Sequence, residues 1–597
     1  MFNKKTTIRF MLLLVSVISL NAADINWSSL SGTNDWNTPA NWVGGVPTYL
    51  DNALITNDPS GTFYGVEVAA VDTNDAFRLL AGVSDGNELN VIIKGELSLL
   101  NNSTSDGDYG LKLEGNTTLE IADGGYLYVN AQVLAGAGLN NIIIREGGEI
   151  GYCQTTRRRF KFHGVLDVYG EMNVLSANAQ EIADYDPSTD RMNIYPTASV
   201  DVSTINAPLY VYNASNVICF GAGEVMHMTN SFVQYGVNYG GRYRTLGIQL
   251  GGGKTAGIYN TSIVPLDSGS VSSNYFNTEI DGLLLGKAAG GNAPSILNIY
   301  DGSVMELYGD IYISQRPSAE VNLYGGSTIR TLTDVYCGSA FLSYYLSGAT
   351  GTLNLEDGFF YATNVADNAT IYIGNYNNGV LDVKAAGYLE ANAVRIGNNI
   401  LSTGEFSING GEVNISNGLI ATNAAWSTIT FNSGELNVAG VDLTLGTDLT
   451  VGNGTDAAVF GLLGDANSIA DGLIITNLAT FAAGGVDAVD DSVALTADIV
   501  FAENSIIHCD FGVGLGDQVT VTGDVELPAV ASIEIDAVSM DNLPDVVDLI
   551  TASSLSGETD LSGWTVESVG ENSYVVSIEG NVLTLTRKLN GSLFIVR

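Results

Sequence analysis

Apolar and polar residues alternate in short runs along most of this chain, and the runs return at a near-regular interval. In Leu353-Asn354-Leu355 the leucines fall on one face of a strand and the asparagine on the other. The unit is an alternating strand, a glycine, then a second short strand that often ends in Ile-Gly. It reads Leu297-Asn298-Ile299-Tyr300-Asp301-Gly302, Val321-Asn322-Leu323-Tyr324-Gly325-Gly326 and Leu353-Asn354-Leu355-Glu356-Asp357-Gly358. Later copies are Leu381-Asp382-Val383 before Gly387, Phe406-Ser407-Ile408-Asn409-Gly410-Gly411 and Ile429-Thr430-Phe431-Asn432-Ser433-Gly434. The anchor glycines 302, 326, 358, 387, 411 and 434 are 24, 32, 29, 24 and 23 residues apart. Between them lie second strands such as Ile371-Tyr372-Ile373-Gly374 and Val394-Arg395-Ile396-Gly397. A unit this small cannot bury its apolar face alone, so the period predicts stacked coils sharing one interior. Glycine is expected at the corners, where φ turns positive or backbones approach closely. The predicted fold is all-β, a right-handed parallel β-helix or β-solenoid, and no amphipathic helical stretch of useful length competes with it.

Changes of texture suggest an organisation. Residues 1–22 read as a signal peptide: Lys4, Lys5 and Arg9 precede an apolar run from Phe10 to Leu20, and Leu20-Asn21-Ala22 fits a cleavage site. Residues 23–60 hold Trp27, Trp36 and Trp42, three of the five tryptophans, and read as a cap over the open end of the stack. The rival reading of that cluster is aromatic stacking on a sugar. Residues 61–280 carry a degenerate repeat, with Leu119-Glu120-Ile121-Ala122-Asp123-Gly124-Gly125 echoed by Ile142-Ile143-Ile144-Arg145-Glu146-Gly147-Gly148. Segments 180–206 and 234–254 break its rhythm and read as lateral insertions. Residues 281–450 are the regular repeats, and 451–597 the terminal coils with a β-rich C-terminal cap.

Composition narrows the function. The net charge of -42, from 65 acidic and 23 basic residues, repels nucleic acid and anionic membranes. It also keeps a large β-surface soluble. No stretch after the signal approaches the length of a membrane helix. Cys153, Cys219, Cys337 and Cys509 are too scattered for a disulfide scaffold and read as small apolar residues inside coils. The expected location is outside the cytoplasm: cell surface or medium, with the periplasm as alternative.

Three features together resemble a known group: the strand-Gly-Gly-strand-Ile-Gly phrase, the opening Trp36…Asn41-Trp42-Val43-Gly44-Gly45-Val46-Pro47…Asp51, and the late Gly516-Asp517-Gln518-Val519-Thr520-Val521-Thr522-Gly523. They are similar to exported β-solenoid proteins of the autotransporter-passenger type in Gram-negative bacteria. The resemblance implies a cell-surface or extracellular structural or adhesion role. It does not extend to a translocator barrel or a terminal Pro-Glu-Pro sorting signal, neither of which follows the last strands. Another exporter, or retention in the periplasm, is expected.

Candidate chemistry is sparse. Arg157, Arg158, Arg159, Lys161 and His163 form the densest basic segment in an acidic chain and would grip an anionic polysaccharide by charge-assisted hydrogen bonds. Parallel β-helices also carry polysaccharide lyases and hydrolases, so an enzyme of that kind, or a carbohydrate-binding protein, is the alternative reading. Tyr300, Tyr308, Tyr312 and Tyr324 recur near successive coils and would stack either on sugars or on one another. Asp184, Asp186 and Asp190 make an oxygen-rich loop that suits Ca2+, but no calcium-loop frame is present and no cofactor is assigned. His508-Cys509-Asp510 puts a histidine and an aspartate on one strand face; a single triplet falls short of a metal-ligand pattern, and no metal is assigned. Gly82-Val83-Ser84-Asp85-Gly86 has nucleophile-elbow spacing without the following helix. Gly251-Gly252-Gly253-Lys254-Thr255 has Ile248 where a phosphate loop needs its leading glycine. No catalytic residue is assigned.

Overall fold

Strands of three to six residues are too short to be stable singly, so each must find its partners in the neighbouring coils. The computed structural model arranges them that way. It describes residues 22–588 except 30–31, 57–62, 71–72, 84–86, 102–108, 131, 136–139, 155–158, 163, 177–180, 185–190, 203, 207–208, 215, 220–224, 236–247, 252–254, 266–282, 288–293, 308–310, 315–317, 332–333, 338–348, 365–368, 399–401, 465–466, 485–491, 513–515 and 538–542. The described residues are nearly all strand, and the helical elements among them are two single 3-10 turns, Pro39–Asn41 and Leu561–Gly563. The chain divides into two compact units, Met1–Ser203 and Thr204–Arg597. Each is a parallel β-solenoid.

In the first unit three columns of apolar side chains run from coil to coil. Val66, Val91, Leu119, Ile142, Leu166 and Met192 are consecutive register partners on one face. Leu97, Leu127, Ile150, Met172 and Val200 make the second column, and Ala53, Leu79, Leu111, Val133 and Phe160 the third. All are buried. At the start of this unit Trp42 meets Trp27 and Trp36 edge-on, with ring centroids 4.7 and 4.8 Å away. The Trp42 indole N–H donates to the Trp36 carbonyl at 2.7 Å. All three rings are buried, so none offers a face to a sugar. The neighbouring strand Ala23–Trp27 pairs antiparallel with Trp42–Val43 and parallel with Asp51–Ile55.

The second unit repeats the plan. One column is Ile258, Ile299, Leu323, Leu355, Val383, Ile408 and Phe431. Another runs Ile263, Met305, Ile329, Phe360, Leu389, Val413, Leu436, Phe460, Phe481, Ile507 and Ile533. Each such side chain, taken out of water, contributes about 1.5–3 kcal/mol against the entropy of ordering the coil. The corners are satisfied from inside by a column of buried hydroxyls. Thr261 Oγ1 accepts from the Ser231 N–H at 3.3 Å, and Ser303 Oγ accepts from the Thr261 N–H at 3.1 Å. Ser303 Oγ also donates to the Tyr300 carbonyl at 2.6 Å, and Ser327 Oγ to the Ile299 carbonyl at 3.0 Å.

Glycine serves the corners as expected, with one extension. A Cβ on Gly358 would sit 2.5 Å from that of Leu323, so the backbones could not approach as they do. Asn213, Asn230 and Asn260 also take left-handed conformations, with φ of 51°, 46° and 43°, because a short polar side chain tolerates that region. In two coils the corner is drawn into one long strand, Gly404–Ile415 and Ser427–Ala439, with the irregularity absorbed around Asn409. Near its C-terminal end the unit changes pairing: Val546–Gly557 is parallel to Gln518–Leu527 but antiparallel to Val582–Lys588, which closes a hairpin with Ser573–Glu579.

Candidate functional site

The basic segment predicted as a ligand contact falls largely outside the described residues: Arg157, Arg158 and His163 are not among them. Arg159 and Lys161 occupy the strand Arg159–Phe162, in register with Glu181 and Ala183. Of the acidic loop, Asp184 ends a strand, while Asp186 and Asp190 lie outside the described residues. Residues 84–86 of the elbow-like motif and 252–254 of the phosphate-loop-like motif also lie outside, as do residues 1–21 of the signal segment.

The tyrosines do converge, though not as one surface. Tyr300 stacks on Tyr324 with centroids 4.9 Å apart and on Tyr259 at 4.7 Å, the planes within 13° of parallel. His227 extends the column at 5.3 Å from Tyr259 and 5.9 Å from Tyr212. Its Nε2 lies 2.7 Å from Thr229 Oγ1. Gly257 makes room for the Tyr259 ring, which a Cβ there would meet at 2.8 Å. Burial raises the pKa of Tyr300, with its tyrosine neighbours adding to it. Burial also raises Tyr324, reinforced by Glu356 and Glu320. Past Tyr324 an ion pair between Lys384 and Glu356 continues the exposed face, and its hydrogen bond raises the lysine. Tyr312 departs from the predicted ladder: it is buried on another face, in register with Tyr336. Tyr308 lies outside the described residues.

Asparagines form parallel columns. Asn322 donates to Asn298 at 2.9 Å and Asn354 to Asn322 at 2.7 Å. Asn409 donates to Asp382 at 2.7 Å and Asn432 to Asn409 at 2.8 Å. At the left-handed corners Asn230 donates to Asn213 and Asn260 to Asn230. Aromatic faces and amides alike are thus spent on the next coil. A hollow of about 110 Å³ lined by Arg395, Asn398, Thr422 and Asn423 is smaller than the several hundred Å³ of a small-molecule site.

One cluster differs in kind. In the strand Ser505–Phe511 the usual alternation fails: Ile507, Cys509 and Phe511 face the interior, yet His508 and Asp510 on the other face are 5% and 0% exposed. His508 Nε2 is hydrogen-bonded to Asp510 Oδ1 at 3.0 Å and lies 3.8 Å from Asp536 Oδ2. Asp536 is brought there by register, because Asp510 and Asp536 are partners on adjacent parallel strands. Asp517 returns over the strand: its buried carboxylate accepts from the Asp510 N–H at 2.8 Å, and its own N–H donates to the Asp510 carbonyl at 3.0 Å. Burial alone lowers the His508 pKa, but the hydrogen bond to Asp510 and the charges of Asp510, Asp536 and Asp517 outweigh it and hold it above the ordinary 6.5. Cys509 carries a free thiol that burial pushes well above 9.0, in line with its reading as a small apolar residue. The sequence reading placed His508 and Asp510 on one face; the third carboxylate had no sequence signal, since 26 positions separate Asp510 from Asp536.

Among the described residues no helix is long and apolar enough to cross a membrane. No family model matches the chain, and no curated protein matches it.

Proposed function

We propose that this chain is an exported, non-catalytic β-solenoid that serves as a structural or adhesion element at the cell surface or outside the cell. One observation carries the reading: the side chains on the outer faces bond coil to coil. A tyrosine whose two faces are covered by tyrosines presents only its edge, and an amide engaged with the amide above and below has little left for a ligand. Such columns extend a uniform surface, whereas a binding or catalytic pocket needs polar groups converging on a point. The basic n-region and apolar run before Ala23 support export. The acid-rich surface fits a soluble extracellular protein. Within this reading the segment Arg157–Arg158–Arg159–Lys161–His163 is the proposed contact for anionic polysaccharide or another surface component.

Fractionation of the producing cells, combined with protease shaving of intact cells, tests the proposal. A surface-exposed or secreted pool is expected. A pool confined to the periplasm or cytoplasm would overturn it. A glycan array on the purified protein tests the contact: replacing Arg157, Arg158 and Arg159 together by alanine should abolish any binding to acidic polysaccharide.

A further inference from the structure

We infer that His508, Asp510 and Asp536 form a binding site for a divalent transition-metal ion of the zinc class, joining two successive coils near the C-terminal end of the second unit. The imidazole and the two carboxylates each offer one ligand atom, and the three atoms lie within 4.8 Å of one another. Bonds of 2.0–2.1 Å in a tetrahedral shell place ligand atoms about 3.3 Å apart. The observed 3.0 Å and 3.8 Å from His508 Nε2 straddle that value. Closing the set takes an adjustment chiefly of Asp536, whose side chain is 61% exposed and free to move.

The ligand strand is held in place by its surroundings. Asp510 is fully buried although it lies on the outward side of the strand. Asp517 is outside the ligand set. It grips the Asp510 backbone from both N–H and carbonyl, and so fixes the ligand strand as outer-sphere partners do in metal sites. Cys509 faces the interior between the two ligands and is outside the set. One imidazole with two carboxylates favours zinc, or manganese or cobalt, over calcium, which takes six to eight oxygens. The exposed side beyond Asp536 leaves the remaining position to water.

The test uses the purified chain, stripped with a chelator and then dialysed against Zn2+. One zinc per chain by elemental analysis is expected, with a higher melting temperature in Zn2+ than in chelator. Co2+ in its place should give a visible absorption band that Zn2+ abolishes. Asp536→Asn, at an exposed position that leaves the coil packing intact, should weaken zinc binding at least about tenfold. His508→Gln should remove it. Glu534→Gln, on the same strand but outside the ligand set, should bind as the wild type does. Three results would overturn the inference: no zinc retained by the wild type, unchanged affinity in Asp536→Asn, or preference for Ca2+ over Zn2+.

Discussion

The Tyr259–Tyr300–Tyr324 stack shows how single residues on the outside of a coil work. Each ring contact contributes about 0.5–1.5 kcal/mol beyond the area it buries. The price is desolvation of the phenols, which raises Tyr300 and Tyr324 above their ordinary 10.0. Tyr300 faces Tyr259 and Tyr324; Tyr324 also faces the acids Glu320 and Glu356 and the opposing charge of Lys384. The sign of the consequence follows. When pH passes 10 the unfolded chain gives up these protons first, while the folded chain still holds them. The stabilisation is therefore complete below 10 and disappears as pH climbs through the raised folded values. Lys384, raised by its bond to Glu356, acts in the same direction from 10.5 upward. We predict that the melting temperature falls in this alkaline range, and that Tyr300→Phe combined with Tyr324→Phe makes the fall shallower. Melting curves collected across that range decide it; equal slopes in wild type and double variant would remove the stack as the cause.

At the scale of the element, the corner decides whether one coil can lie on the next. Gly434 has φ of 96°, and a Cβ there would collide with the Gly411 backbone oxygen of the coil before it. Gly434→Ala is predicted to cost about 2 kcal/mol or more, from backbone strain together with the contact. In a linear stack the loss should stay near its own coil and those beside it. Hydrogen exchange read along the chain checks both points: faster exchange around residues 404–463 with distant coils unchanged is expected, and a uniform change would contradict it. The same physics explains what the sequence disclosed. Alternation in Leu353-Asn354-Leu355 and the glycine intervals revealed strands, columns and parallel stacking, because side-chain direction and corner geometry are local properties. The tryptophan cluster was legible from its density. Coil length is not local: Ile258 and Ile299 are register neighbours 41 positions apart, while Ile299 and Leu323 are register neighbours 24 positions apart. Which residue opposes which therefore cannot be counted from the sequence, and Asp536 beside Asp510 stayed invisible. The left-handed asparagines were missed for a different reason: Asn-rich turns are common, and only stacking shows that three of them share one column.

At the scale of the whole molecule, a parallel stack must end somewhere, and a bare last strand invites pairing with another chain. The strand Val546–Gly557 has Gln518–Leu527 on one side and the antiparallel Val582–Lys588 on the other. Leu583 and Leu585 of the closing strand are fully buried, Tyr574 donates to the Pro544 carbonyl at 2.8 Å, and Trp564 donates to the Pro528 carbonyl at 2.9 Å. The reversal from parallel to antiparallel matters, because a strand running the other way does not present the register that a further coil would need. The closing segment is then a stopper more than a source of core stability. Deleting residues 558–597 should leave the earlier coils folded, by circular dichroism and by protection from exchange. It should also convert the protein into concentration-dependent oligomers, through the uncovered edge and the apolar surface that Leu583 and Leu585 had occupied. Light scattering during gel filtration distinguishes the outcomes: a truncated chain that stays monomeric at high concentration would mean that the edge of Val546–Gly557 is protected by something other than the hairpin.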